Sequence, residues 1–397
     1  MNKKKEIVPN KFRFPKYVNS EQWISTELSS LLDYERPDLY IVESDNYKNE
    51  GIPVLTANKS FILGYTDEKN NIYSRVPVII FDDFTTEKKY VDFPFKVKSS
   101  AIKILKPKGN NVLKFVFELM NTINFEAKEH KRYYISTYQK LFVYVPEDVK
   151  EQQKIVDCLF SIDDLIDAES RKLKALEKYK KGLMQKLFPA EGKTLPEWRF
   201  PEFQGCGEWK YEEIGSIGEV ITGKTPSTSD TALWDGDIQF VTPTDITENK
   251  YQCHTQRTVV KTPKMKVLPK HTIMFTCIAS IGKMALSLYP CITNQQINSI
   301  IPKACYDNEF IYYSLLQKTP SIKSGFANST LPIINKTDFS EIQIPVILDK
   351  KEQQKIADCL SEIDTIITEQ SNKVEQLKIH KKGLIQGLFP SLEEVDV

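Results

Sequence analysis

Residues 151–189 read EQQKIVDCLFSIDDLIDAESRKLKALEKYKKGLMQKLFP, and residues 352–390 read EQQKIADCLSEIDTIITEQSNKVEQLKIHKKGLIQGLFP. Aligned without a gap, about 22 of the roughly 39 positions are identical, and self-similarity at that level marks an internal repeat. A weaker echo precedes each copy: Phe12-Arg13-Phe14-Pro15 with Trp23, and Trp198-Arg199-Phe200-Pro201 with Trp209. The chain therefore reads as two copies of one unit, each a variable block followed by the repeated segment. Between them, Pro189-Ala190-Glu191-Gly192-Lys193-Thr194-Leu195-Pro196 is a Pro-bounded polar stretch and a natural boundary.

The repeat lacks internal Gly or Pro until Gly182 and is far longer than the mean helix of about 11–12 residues. Its apolar positions step by four and three: Ile155, Leu159, Ile162, Ile166, Leu173, Leu176, Leu183 and Leu187. The second copy gives Ile356, Leu360, Ile363, Ile367, Val374, Leu377, Leu384 and Leu388. Such a seam is expected for a helix packed lengthwise on another; an amphipathic core helix is the alternative. Both seams are interrupted at matching places, by Glu169 and Lys180 and by Gln370 and Lys381. An antiparallel pair about a pseudo-two-fold that sets Glu169 against Lys381 and Lys180 against Gln370 keeps either lysine off an apolar partner, which would be costly. The same register sets Ile166 against Leu384 and Leu173 against Leu377. From Ile162 to Leu187 is about 26 residues, or roughly 39 Å of helix, close to the 34–36 Å or so of one DNA turn.

The variable blocks show little resemblance to each other. Ile52–Thr56, Val76–Phe81, Ile238–Val241, Thr272–Phe275 and Ile342–Pro345 are short, β-rich and turn-bounded, and predict strands. Pro53 and Pro77 point to edge positions or bulges. Helical stretches at Val112–Asn121 and Asn308–Leu316 complete an α+β domain in each half.

At 397 residues the chain has length for about two or three domains. Lys plus Arg (54) nearly cancels Asp plus Glu (53), so any nucleic-acid binding must come from local patches. No apolar run approaches the roughly 18–20 residues of a membrane span, and Met1-Asn2-Lys3-Lys4-Lys5-Glu6 is not followed by the apolar stretch of a secretory signal. Seven cysteines without a Cys-x-x-Cys spacing and four histidines indicate neither a disulfide framework nor a metal site. A cytoplasmic protein with reduced thiols is expected.

Gly218-Glu219-Val220-Ile221-Thr222-Gly223-Lys224-Thr225 fits the phosphate-binding pattern G-x-x-x-x-G-K-[ST] letter for letter. The turn-forming Pro226-Ser227-Thr228-Ser229-Asp230 follows where that mechanism needs a helix. A loop meeting a DNA phosphate is the better reading of Lys224 and Thr225. Asp82, Asp83, Glu87 and Lys89 hold the ingredients of a metal-dependent nuclease, but their tight spacing favours a solvated turn. No catalytic constellation stands out; the rival readings are a P-loop ATPase or nuclease and a coiled-coil scaffold without DNA. Basic clusters occur at Lys96, Lys98 and Lys103; at Lys128, His130, Lys131 and Arg132 before Tyr133 and Tyr134; and at Lys261, Lys264, Lys266 and Lys270. Such groups neutralise phosphates. Candidates for base contact are Asn58, Lys59, Thr85 and Thr86 in the first half, and Gln295, Gln296, Asn328 and Thr330 in the second.

Two variable blocks, each followed by an EQQKI…D…KKGL-x-Q-x-LFP segment, resemble the specificity subunit of a type I restriction–modification system. Gly223-Lys224-Thr225-Pro226-Ser227 followed by Trp234-x-Gly236-Asp237-Ile238 resembles the start of that family's target-recognition domains, whereas the first block has Asp33-Tyr34-Glu35-Arg36-Pro37 in that region. The resemblance implies an α+β fold with two target-recognition domains joined by two long antiparallel helices forming a coiled coil with pseudo-two-fold symmetry. The expected boundaries are 1–148 for the first target-recognition domain, 149–189 for the first spacer helix, 190–348 for the second domain and 349–390 for the second helix. It further implies a non-catalytic subunit without a cofactor of its own. Such a subunit reads a split, asymmetric site in double-stranded DNA. Its expected partners are two modification subunits, which methylate adenine, and restriction subunits that use ATP. Dissimilar blocks imply dissimilar half-sites, because one head used twice reads a palindrome.

Overall fold

The computed structural model describes residues 12–57, 60–263, 265–326 and 333–390. The chain divides into two compact units, one holding the residues up to Ala168 and those from Val374 onward, the other Glu169–Lys373.

In the first unit β1 (Ile24–Glu27), α1 (Leu28–Leu31), β2 (Leu32–Glu35), β3 (Ile52–Leu55), β4 (Ile62–Thr66) and β5 (Val78–Asp82) come first. They are followed by β6 (Lys88–Val91), β7 (Lys96–Val97), β8 (Ile102–Pro107), α2 (Leu113–Asn121), β9 (Phe142–Val145) and the long α3 (Val149–Leu187), whose residues from Glu169 on belong to the second unit. The second unit runs β10 (Lys210–Glu213), α4 (Ile214–Ile217), β11 (Gly218–Thr222), β12 (Trp234–Val241), β13 (Tyr251–Gln252), β14 (Arg257–Val259) and β15 (Ile273–Thr276). It continues with β16 (Met284–Ser287), β17 (Cys291–Thr293), β18 (Ile297–Pro302), α5 (Asn308–Phe326), α6 (Lys336–Glu341), β19 (Gln343–Val346) and α7 (Lys350–Leu388), whose residues from Val374 on belong to the first unit.

Strand order shows that the two dissimilar blocks share one fold. The sheet β2-β8-β5-β6 corresponds to β11-β18-β15-β16, which gains β13 at its edge; β4-β3-β7 corresponds to β14-β12-β17; and β1-β9 to β10-β19. The reason is visible in the central strands. Alternate side chains of a strand face opposite ways, and Ile79 and Phe81 enter the core that holds α2, while Val78 and Ile80 enter the core beneath β3 and β7. Ile273 and Phe275 are divided from Met274 in the same way. The fold constrains the alternation, not the identity, of these residues. Pro53 departs from the edge expectation: β3 is the middle strand of its sheet, but β7 joins it only from Val54 on, and a bulge follows between Val54 and Leu55. Pro77 lies just before β5 instead of inside it. Helix α5 runs well beyond the stretch read from sequence and carries Pro320 within it.

The most repetitive part of the sequence anchors the domains. At the start of α3, Glu151 accepts two hydrogen bonds from Arg13, both 2.8 Å, and one from Trp23 Nε1. At the start of α7, Glu352 accepts from Arg199 Nε and Nη2 at 2.7 and 2.6 Å. The neighbouring Gln152 accepts from the Val112 amide and donates to the Pro146 carbonyl, and Gln353 does the same with Asp307 and Ile347. All four side chains are buried, so the E-Q identity is that of two clamps. The closing L-F-P does related work. Leu388 and Phe389 lie in the first unit's core against Trp23 and Phe115, and Leu187 and Phe188 in the second unit's core against Trp209 and Phe310.

Within each unit the halves of α3 and α7 pair antiparallel, in a register that corrects the one expected from sequence. In the second unit Lys180 pairs with Asp364 at 2.5 Å, instead of facing Gln370. Gln370 donates to the Glu169 carboxylate at 2.7 Å, and Lys373, not Lys381, supplies the cation for Glu169. In the first unit Lys381 pairs with Asp163 at 2.6 Å. Relative to the expectation the helices have slid by about two turns. The physical reason is that Asp163 and Asp364 flank the seam, and a lysine gains more from a carboxylate than from a neutral amide. Ile162, Ile166, Leu173, Ile363, Ile367 and Leu377 are half-buried along this seam, while Leu183 and Leu384 pack on the second and first cores.

Candidate nucleic-acid interface

Each domain gathers several connections along one edge, and two of the backbone bonds that hold them recur in both domains. In the first domain the Asp83 amide donates to Ala101, joining the β5–β6 turn to the β7–β8 turn, and the Tyr133 amide donates to Asp83, joining the segment after α2. In the second, the Cys277 amide donates to Gln296 and the Ile334 amide to Cys277. The β11–β12 loop is attached by the Gly223 amide to Ile297 and the Lys224 amide to Thr293. A Cβ on Gly223 would lie 2.2–2.3 Å from the Asn294 and Thr293 carbonyl oxygens, so only glycine lets the two backbones approach this closely.

In the second domain this edge brings together Lys224, Thr225, Gln295 and Gln296, four of the residues singled out from sequence. The Thr225 hydroxyl donates to Gln295 Oε1 at 2.7 Å. Gln296 is engaged locally: its amide N–H donates to Asn294 Oδ1, and its Oε1 accepts from Asn294 Nδ2. A cleft of about 630 Å³ opens beside Lys224, Thr225, Ser227, Met265 and Ile292. Lys224 and Lys283 are exposed and have no carboxylate partner among the described residues. Asn328 and Thr330 lie outside the described residues.

In the first domain the turn that carries Thr85 is joined to the segment that carries Lys131 and Arg132. Asp82 Oδ1 accepts from the amides of Phe84 and Thr85, and the Thr86 backbone is left-handed at φ 60°. His130 stacks on Phe84 with ring centroids 4.6 Å apart, and the Arg132 guanidinium lies 5.8 Å from the same ring. Lys131 pairs with Glu129 at 2.9 Å, which holds that carboxyl below its ordinary value.

Two candidates are corrected by burial. Tyr134 is 1% exposed, packed against Tyr34 and Phe81, and cannot reach a groove. Thr86 is also buried, drawn in by the turn that exposes Thr85. Asn58 and Lys59 lie outside the described residues.

In the cluster Lys96, Lys98 and Lys103, the first and last are buried and all three are paired with carboxylates. Lys96 pairs with Glu68, Lys103 with the buried Asp83, and Lys98 with Asp45. Of the third cluster, Lys266 pairs with Glu219 and Lys264 is outside the described residues.

The enzyme-like motifs resolve into structure. Gly218–Thr222 is itself β11, paired along its length with β18, and a strand follows the loop where a nucleotide site needs a helix. Asp82 is consumed by its turn and Asp83 by Lys103 and the Tyr134 amide. Burial pushes the Cys277 thiol up to about 11, far from a reactive thiolate. No group of His, Cys, Asp or Glu among the described residues is arranged to hold a metal.

Sequence reasoning missed the tip of the β7–β8 turn, Ser99-Ser100. It occupies the place of Gln295, because Lys98 is tied to Leu55 and Ala101 to Asp83 as Asn294 is tied to Val241 and Gln296 to Cys277. Nothing in two unrelated blocks could align these positions.

The comparisons agree with this architecture. The family described as type I restriction modification DNA specificity domain matches residues 207–377. A type I restriction enzyme specificity subunit of Escherichia coli is 32% identical over 369 residues, covering 87% of this chain and 87% of that protein. One of Methanocaldococcus jannaschii is 36% identical over 183 residues, 44% of this chain and 41% of that protein. The crystal structure of the type I restriction–modification S subunit from M. genitalium shares the fold at 16% identity, with a TM-score of 0.64 over 98% of this chain and 100% of that one. A doubled α+β domain with a long repeated helix is a fold the solved S subunit shares, and by its likeness along most of its length to the Escherichia coli subunit the chain belongs to the specificity subunits of type I restriction–modification enzymes.

Proposed function

We propose that this chain reads the two halves of a split, asymmetric site in double-stranded DNA, one half with each domain, and directs methylation and restriction subunits to it. The domains are residues 1–148 and 190–348, and the spacer helices 149–189 and 349–390. The observation that supports this reading is the loop edge: one backbone scaffold, built twice, carries Ser99, Ser100, Thr85 and Arg132 in one copy and Lys224, Thr225 and Gln295 in the other. A shared scaffold suits a shared duplex geometry, and different side chains suit different bases. Lys224, Lys131 and Arg132 serve the phosphates.

The seam from Ile162 to Leu187, with its counterpart from Ile363 to Leu388, acts as the ruler between half-sites. The chain contributes no catalytic group: two modification subunits supply adenine methylation, restriction subunits supply ATP-driven cleavage, and the complex works in the cytoplasm. The test is to map adenine methylation in host DNA with and without this gene, with the modification subunits present. Loss of one split, asymmetric motif is the expected result. An unchanged methylome refutes the reading.

A further inference from the structure

The two tips of the loop edge are chemically unlike, and the second is built for one kind of contact. Gln295 is the single residue between Asn294, held by the Val241 carbonyl and its own side-chain bonds, and Gln296, held by Cys277. Its backbone is therefore fixed on both sides while its side chain is exposed. The Thr225 hydroxyl occupies one lone pair of Oε1 at 2.7 Å. The second lone pair of Oε1 and both hydrogens of Nε2 have no partner among the described residues. A glutamine amide in that state offers an acceptor and a donor side by side, the pattern that matches N6–H and N7 of adenine in the major groove.

We infer that Gln295 reads an adenine in the half-site taken by the second domain, and that Thr225 is its positioning residue. The assignment rests on the proposed DNA-reading function and deepens it. Gln296, also singled out from sequence, and its neighbour Asn294 bond to each other and hold the tip. Lys224, adjoining through the Thr293 carbonyl and exposed, faces the backbone of the same stretch of DNA. In the first domain Ser99 and Ser100 hold the equivalent tip, so a change at Gln295 leaves that half-site untouched.

The experiment uses the full chain assembled with its modification subunits and maps the methylated motif for wild type, Q295A, T225V, T225S, K224A and S100A. With Q295A one A·T position in one half-site becomes degenerate, with discrimination there falling about 5- to 150-fold, and the other half stays fixed. T225V relaxes the same position, and T225S, which keeps the hydroxyl, restores it. K224A leaves the motif as it was and lowers the slope of log affinity against log salt by about 1. Any position that S100A alters lies in the other half-site.

The inference is overturned if Q295A leaves every position fixed, relaxes a G·C position, acts in the half-site that S100A alters, or abolishes methylation altogether. Gln295 is exposed, so the fold does not depend on it, and thermal unfolding of Q295A is expected to match wild type. A wild-type complex that methylates no split motif instead refutes the function itself. That failure is distinct from an unchanged Q295A.

Discussion

Removing one partner of the Arg199–Glu352 pair should loosen the second domain from its helix by a measurable amount. Glu352 is 1% exposed and Arg199 9%, and the guanidinium meets the carboxylate through two hydrogen bonds of 2.7 and 2.6 Å, with a third from Arg199 Nη1 to the Cys206 carbonyl. With Glu352→Ala the guanidinium stays buried and keeps only the Cys206 carbonyl. Breaking a buried pair in this way costs about 3–5 kcal/mol. For a unit of this size each 1 kcal/mol lowers the unfolding midpoint by about 2–4 °C, so the expected drop is roughly 6–20 °C.

The assay is a double-mutant cycle of R199A, E352A and both, in the full chain. It is read by calorimetry and by hydrogen exchange over residues 353–362, which reports local opening of α7 independently of the other unit. The pair predicts that the double variant is scarcely worse than the worse single, with a coupling of at least about 1 kcal/mol. Singles costing less than about 1 kcal/mol, or costs that simply add, would refute the clamp. E151A should be at least as damaging in the first unit, because Glu151 also accepts the Trp23 indole N–H.

Three further outcomes follow from the same geometry. In a cysteine-free background E169C/Q370C should form a disulfide on mild oxidation while K180C/Q370C should not, since Gln370 meets Glu169 and Lys180 meets Asp364; gel mobility under non-reducing conditions reads the result. G223A should displace the β11–β12 loop, because its new Cβ would meet two carbonyl oxygens, with a cost of about 1–3 kcal/mol and loss of recognition confined to one half-site in the methylation map. Burial opposes the charge on Glu309, but hydrogen bonds from Ser361, Tyr251 and Lys250 outweigh it and hold its carboxyl below 4.5. Its folded value is depressed, so its contribution is present above the unfolded value and lost as pH falls through the folded one. Acid unfolding of wild type below about pH 4 should therefore be steeper than that of E309Q, as followed by circular dichroism.

The repeat was legible because helices announce themselves locally: a seam with steps of three and four, no proline, and two copies for comparison. Its meaning was only half legible. The E-Q pair looked like part of the coil, but its function is to grip Arg13 and Arg199, more than a hundred residues away. The register was misread because the lysines were matched to other seam interruptions, whereas Asp163 and Asp364 flank the seam. The shared topology of the blocks was hidden, since a strand asks only for alternation and many sequences supply it. At the site, Thr225 and Gln295 were both named from sequence, but their hydrogen bond spans 70 residues. Tyr134, beside a run of basic residues, read as part of a DNA patch until packing placed it in the core.

Sequence alone determined that there are two units, that each rests on a long helix and that the blocks differ, because periodicity and repetition are local properties of the chain. Which helix half meets which, which loops share an edge and which polar side chains remain free for DNA were decided only in three dimensions. A side chain's availability depends on the neighbours that bury it or take its hydrogen bonds, and those neighbours come from distant parts of the chain.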